Sequence, residues 1–262
     1  MKRRDTLAGA LGVAAVLALS ACGNGTSDLS AVTGESFEPI RYRITAEIVT
    51  PAGVKTGHSV WEYRGSMGGS IFGSQASSGF RVRGEAVAVD VAPGETLFVL
   101  MRTPNDYDYP ANVLNAIPFE RDTGPSPDSR EEQMARTRDM YDRIRDDYGT
   151  HPLWLPKGQP RDETLGGVPY FVRFGDLRDP KSVERVDPDH LDKSFGKGFR
   201  LKALTIQITD DPVTVGIEKR LGWLKGGGPL LDAGSIKAPP IGQPYPFAVT
   251  INNGDFVKGS ER

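Results

Sequence analysis

The sequence predicts a mainly β or α+β domain: antiparallel β hairpins forming a sandwich-like sheet core, with one long surface helix and several short helices. Three observations predict it. Residues 40–48 alternate strictly between apolar and polar side chains, the period of a half-buried strand. Thr50-Pro51-Ala52-Gly53 and Pro93-Gly94 are turn signals between such runs. Strands dominate without the regular strand–helix alternation that a parallel sheet would need.

Ile40, Tyr42, Ile44, Ala46 and Ile48 point one way in the first strand, and Arg41, Arg43, Thr45 and Glu47 the other. Residues 56–64 return as its hairpin partner. Residues 65–79 hold five Gly and five Ser and read as a loop. Residues 80–91 and 96–102 form a second hairpin around Pro93-Gly94. Its Arg81-x-Arg83-x-x-Ala86 echoes Arg41-x-Arg43-x-x-Ala46, the pattern of two similar amphipathic strands.

Residues 127–148 are the long helix. Ser129 with Glu132 forms a capping box, and Met134, Tyr141, Ile144 and Tyr148 make a narrow apolar stripe suited to shallow packing. Residues 168–174 and 199–209 read as strands. Between them Asp187-Pro188 starts a short helix carrying Leu191 and Phe195, closed by Gly196. Ile217, Leu221 and Leu224 suggest another short helix. A Pro/Gly-rich tail begins at about residue 226, with a last strand over residues 247–251.

The N-terminus carries a different signal. Lys2, Arg3 and Arg4 precede an apolar stretch over residues 7–19, the layout of a secretory signal peptide and too short to span a bilayer. It ends in Leu19-Ser20-Ala21-Cys22, which resembles the lipobox of bacterial lipoproteins. That resemblance implies cleavage before Cys22 and lipidation of its sulfur, palmitate among the acyl groups, and two or more chains anchor stably. Three units follow: a signal peptide over residues 1–21, a lipidated Cys22 with a polar tether over residues 22–38, and one globular domain over residues 39–262. Gly23 follows the cysteine in place of the aspartate associated with inner-membrane retention, which favours the outer membrane.

The chain of 262 residues has a formal charge of -2. Removing residues 1–21 leaves 29 Lys and Arg against 33 Asp and Glu, a net charge of -4. Nucleic-acid binding, which favours a basic surface, is not expected. The single cysteine excludes an intramolecular disulfide and any multi-thiolate zinc site.

No catalytic residue is assigned. There is no G-x-S-x-G elbow, no phosphate-binding glycine loop, and His58, His151 and His190 lack metal-ligand spacing. Neither a cofactor nor a metal is expected. Asp176, Asp179, Asp187, Asp189 and Asp192 are oxygen-rich but read as loop and helix caps. Two surface features carry binding chemistry. Arg41, Arg43, Arg81 and Arg83 on polar strand faces form a candidate anion-binding stripe, unless Glu47, Glu62 and Glu85 pair with them. Trp61 and Tyr63, on one face of a strand, form a candidate aromatic contact for a sugar, unless they pack in the core.

Four stretches resemble an uncharacterised proteobacterial predicted-lipoprotein family: Arg41-Tyr-Arg-Ile-Thr-Ala-Glu-Ile-Val-Thr-Pro-Ala-Gly through Gly57, Arg81-Val-Arg-Gly-Glu-Ala-Val-Ala-Val-Asp, Asp176-Leu-Arg-Asp-Pro-Lys-Ser-Val through Val186-Asp-Pro-Asp, and Ile208-Thr-Asp-Asp-Pro-Val-Thr through Glu218-Lys-Arg-Leu. The resemblance implies a Gram-negative source and transfers no activity. The expectation is a cell-envelope lipoprotein, anchored by lipid in the outer membrane and facing the periplasm. Its non-catalytic domain would bind an envelope glycan, lipid or protein partner. The alternative is a carboxylate-dependent hydrolase or carbohydrate-active enzyme, marked by two carboxylates converging in a cleft with Trp61 or Trp154.

Overall fold

The computed structural model describes residues 35–67, 78–118, 124–155, 167–226 and 246–259. Cys22, the expected signal peptide and most of the expected tether lie outside the described residues, as do residues 68–77 of the Gly/Ser stretch and much of the Pro/Gly-rich tail.

Alternation in the sequence becomes two facing antiparallel sheets, so the protein is mainly β. Strands β1 (Glu35–Ser36), β2 (Ile40–Thr50), β3 (Gly53–Met67), β4 (Ser78–Glu85), β7 (Thr150–Pro152), β10 (Arg200–Ile208) and β11 (Val257–Lys258) build the first. Its order is β11-β4-β3-β2-β10-β7, with β1 paired to β3. The second sheet orders β5 (Val87–Ala92), β6 (Glu95–Val99), β8 (Phe171–Phe174) and β9 (Val183–Val186). The inward residues of β2, from Ile40 to Ile48, are fully buried against Val87, Val89, Leu97 and Val99, the interdigitated packing of a sandwich. Trp61 sits among them with its ring edge-on to Tyr42 and Tyr109. At Gly57 the sheets approach so closely that a Cβ would lie 2.2 Å from the Ala88 carbonyl oxygen.

Residues 80–91 are not one strand, as the pattern predicts, but two in different sheets. The chain turns between sheets at Gly84, Glu85 and Ala86. Gly84 has φ +149° and passes over the Trp61 ring, where a Cβ would lie 2.5 Å from Cδ1. The Trp61 indole N–H donates to the Glu85 carbonyl at 2.7 Å, and the Ala86 N–H donates to the Phe256 carbonyl. A glycine inside a strand pattern is the sequence signal for this corner.

Helices α1 (Tyr109–Asn112) and α3 (Asp192–Phe195) are single turns, and α2 (Arg130–Arg145) is the long helix. The Ser129 hydroxyl accepts the Glu132 N–H at 3.1 Å, so α2 starts after the predicted Pro127-Asp128. Met134 and Ile144 are buried, Tyr141 is half-buried, and Tyr148 lies beyond the helix, exposed. Met134 and Tyr141 cover Phe37 and Met67, where the second sheet does not reach.

The outer face of the second sheet is sealed by 3-10 turns, at Ile217–Lys219, Gly222–Gly226, Phe247–Thr250 and Asn253–Asp255. They bring Leu221, Ile251 and Phe256 onto Phe98, Leu100 and Val172. The predicted strand over residues 247–251 is therefore corrected: that segment packs as a layer. Its carbonyl at Thr250 accepts from the buried Arg102 guanidinium at 2.6 Å, and Arg102 also pairs with buried Asp255 at 3.4 Å.

Candidate anion-binding edge

The outer face of the first sheet carries the four sequence-selected arginines on two strands, β2 and β4, that flank β3. Arg41 on β2 and Arg83 on β4 both stand opposite Glu62 on β3, and Arg81 stands opposite Arg64. The Arg-x-Arg repeats thus flank one central strand on one face, but their surroundings differ.

On the β2 side the cations are paired. Arg41 Nε donates to Glu62 Oε2 at 3.1 Å, and Arg64 approaches the other Glu62 oxygen at 3.6 Å. Two guanidinium partners make the burial of this carboxylate tolerable. Arg43 pairs with Asp211 and donates to the Thr209 hydroxyl at 3.4 Å. Asp211 belongs to a strap that leaves β10 beside Arg41 and crosses the face to the far edge of β3. There the Thr214 N–H donates to the Val60 carbonyl at 3.1 Å, and the Val60 N–H donates to the Thr214 hydroxyl at 2.8 Å. The Asp-Asp-Pro run at residues 210–212 reads locally as a turn, so nothing in the sequence announces that it returns over Arg43.

On the β4 side Arg81 and Arg83 are exposed, with no hydrogen-bond or ion-pair partner among the described residues. Arg83 borders a cleft of about 840 Å³ that is also lined by Glu85, Glu218, Lys225, Asn253 and Lys258. Lys258 Nζ donates to the Tyr107 carbonyl at 3.1 Å. Glu85 is buried, and its Oε2 accepts the Ile217 N–H at 2.8 Å, so it clamps the end of the strap. Burial raises the Glu85 carboxyl above its ordinary value, opposed by the backbone hydrogen bond from Ile217 and reinforced by Glu218. Lys225 and Lys258 have no sequence signature; they join Arg83 only because the C-terminal layer folds back on β4.

The aromatic contact is corrected in part. Trp61 is fully buried, its N–H is used by Glu85, and it presents no ring face to a ligand. Tyr63 is half-buried, hydrogen-bonded to Tyr141 through their hydroxyls at 2.8 Å and stacked on Phe80. Trp154 packs against the main core and does not line the cleft beside Arg83. The loop aspartates act as caps: Asp176, Asp179 and Asp187 each accept an N–H two residues ahead at 2.9 Å. Among the described residues no group of three or more His, Cys, Asp or Glu is placed to hold a metal ion.

A second cleft, of about 730 Å³, opens between the hairpin turns at the other end of the sandwich. Pro51, Val91, Pro93 and Phe199 line it, and the Asp90–Arg220 pair borders it with two hydrogen bonds of 2.7 and 2.9 Å.

No family model matches the chain, and no curated protein or solved structure matches it. Two guanidinium groups on one strand without a partner among the described residues, one of them lining a cleft with the ammonium groups of Lys225 and Lys258, suit a phosphate- or carboxylate-bearing ligand.

Proposed function

We propose that this chain is a cell-envelope lipoprotein, anchored through Cys22 in the outer membrane, whose periplasm-facing domain binds an anionic envelope component without catalysis. The observation that carries the binding half is the division of the four arginines: Arg41 and Arg43 are consumed by Glu62 and Asp211, whereas Arg81 and Arg83 have no partner among the described residues and Arg83 lines the cleft. The anchoring half rests on the lipobox, and the likeness to proteobacterial lipoproteins supports it.

Two measurements test the reading. Cys22→Ala should abolish the acylated, membrane-bound form; equal acylation and membrane recovery of both proteins would sink the anchor. The acyl-free Cys22→Ala chain should be retained on immobilised polyphosphate. Adding Arg81→Ala and Arg83→Ala should lower the eluting salt concentration more than adding Arg41→Ala and Arg43→Ala. Equal elution of the two would remove the anion site.

One observation favours the alternative, a carboxylate-dependent hydrolase: Glu85 and Glu218 line the same cleft, and burial holds Glu85 toward its protonated form. Against it, Glu85 already serves the Ile217 N–H. Cleavage of an envelope polysaccharide that disappears in Glu218→Gln would establish that reading instead.

A further inference from the structure

The path of the chain gives the sandwich two distinct ends. Glu35 and Ser36 enter beside Met67 and Ser66 of β3, and across β3 the same rungs continue to Ser78 and Gly79 of β4. The next rung toward the centre pairs Gly65 with Phe80, and the one after pairs Arg64 with Arg81. Two rungs are about 7 Å along a strand, and two strand spacings are about 10 Å across it, so Phe80 and Arg81 sit at the corner where the chain enters. The turn at Pro51-Ala52 lies at the opposite end of β2, about 35 Å away for eleven strand residues.

We propose that this entry corner, Phe80 with Arg81 and Arg64, docks on the anionic headgroup surface of the membrane that holds Cys22. The proposal rests on the anchored reading and names the anionic component as phospholipid. Twelve residues separate Cys22 from Glu35, and a chain of that length reaches at most about 45 Å. An anchor at Cys22 therefore holds the entry of the chain within that reach of the surface, and attraction acts once the corner comes within a Debye length of about 8 Å. Tethering makes the docking step intramolecular, so a weak surface contact suffices.

The corner has the composition of an interfacial contact. Phe80 is 44% exposed and lies on Tyr63, with ring centroids 5.9 Å apart. Arg81, the next residue, lies on the opposite, outer face of the sheet beside Arg64 and is without a partner among the described residues, so Phe80 and Arg81 flank the end of β4 from its two faces. The carboxylates nearest in the chain and the sheet are accounted for: Glu35 pairs with Arg138, and Glu62 is buried under Arg41 and Arg64. Glu38 is exposed and opposes the attraction. Docked this way, the domain turns the 730 Å³ cleft between the hairpin turns away from the bilayer.

Hydrogen exchange of the acylated protein tests this in phosphatidylglycerol-rich and in purely phosphatidylcholine proteoliposomes. A face occupied nine-tenths of the time exchanges about ten-fold more slowly. Amides of Phe80 to Arg83 should show that slowing on the anionic vesicles alone, with Gly94 and Glu95 in the β5–β6 turn unchanged. A Phe80→Ser, Arg81→Glu protein should lose the difference. Equal exchange on both vesicles, or slowing at the Pro93-Gly94 turn instead, would overturn the proposal. Free glycerol 3-phosphate is the remaining arm: if it slows the same amides as strongly without vesicles, β4 binds a soluble anion and membrane docking falls while the anion site stands. A membrane form whose mass shows no acyl chain overturns both readings.

Discussion

The two sides of the first sheet's outer face start from the same Arg-x-Arg pattern and end in opposite states. On the β2 side a buried glutamate and a crossing strap neutralise both guanidinium groups; on the β4 side the strap has already passed, and both remain in solvent. The repeat therefore does not define a site. What crosses the strand decides whether an arginine holds the fold or is left to bind something else.

Breaking the closed side should have the largest effect. Glu62→Ala leaves Arg41 and Arg64 opposite a vacated, buried position, and we expect a loss of about 2–3 kcal/mol in urea unfolding. The same substitution should raise polyphosphate retention, since it frees the guanidinium groups of Arg41 and Arg64 on the same face. Thr214→Val deletes the acceptor of the Val60 N–H at the strap's far end and should cost about 1 kcal/mol.

Glu85 sharpens the comparison through pH, because it clamps the strap where the closed side meets the open one. Its carboxyl titrates above the ordinary value of 4.5 when folded, so the native protein keeps this proton after the unfolded chain has released it. Glu85 therefore lowers stability as pH rises from about 4.5 through its folded value, by about 1.4 kcal/mol for each pH unit that separates the folded and unfolded titrations. Glu85→Gln should lack that decline, so its stability relative to wild type should improve across that window. Asp255 is also raised by burial, but it is common to both proteins and cancels in the difference. Parallel pH profiles would show that Glu85 does not carry this load.

The smallest expected change lies on the open side. Arg81→Ala with Arg83→Ala should alter unfolding free energy by less than about 0.5 kcal/mol while reducing anion retention. A large stability loss would mean that these arginines are structural after all.

The sequence made the fold class legible because β2 obeys one rule throughout: every residue predicted to point inward, from Ile40 to Ile48, is fully buried. The N-cap at Ser129 was equally local and equally readable, although the Glu132 carboxylate accepts the Asp128 N–H at 2.9 Å, one residue before the position a capping box uses. Legibility ended where two distant segments meet. The corner at Gly84 depends on the Trp61 ring beneath it, and the 3-10 layer depends on Arg102 reaching Thr250 and Asp255. In the candidate site Arg83 could be selected from strand polarity alone. Asp211, Lys225 and Lys258 could not, because their proximity arises from a strap and a C-terminal layer with no periodic signature.

The entry of the chain at β1 and β2 has a mechanical consequence. A load drawn on the chain ahead of Glu35 reaches β2, an interior strand bonded along its length to β3 and β10. If the far grip is a ligand on β4, force runs from β2 through β3 to β4, parallel to the strands. The ladder bonds, which lie perpendicular to the strands, are then sheared together and not peeled one at a time.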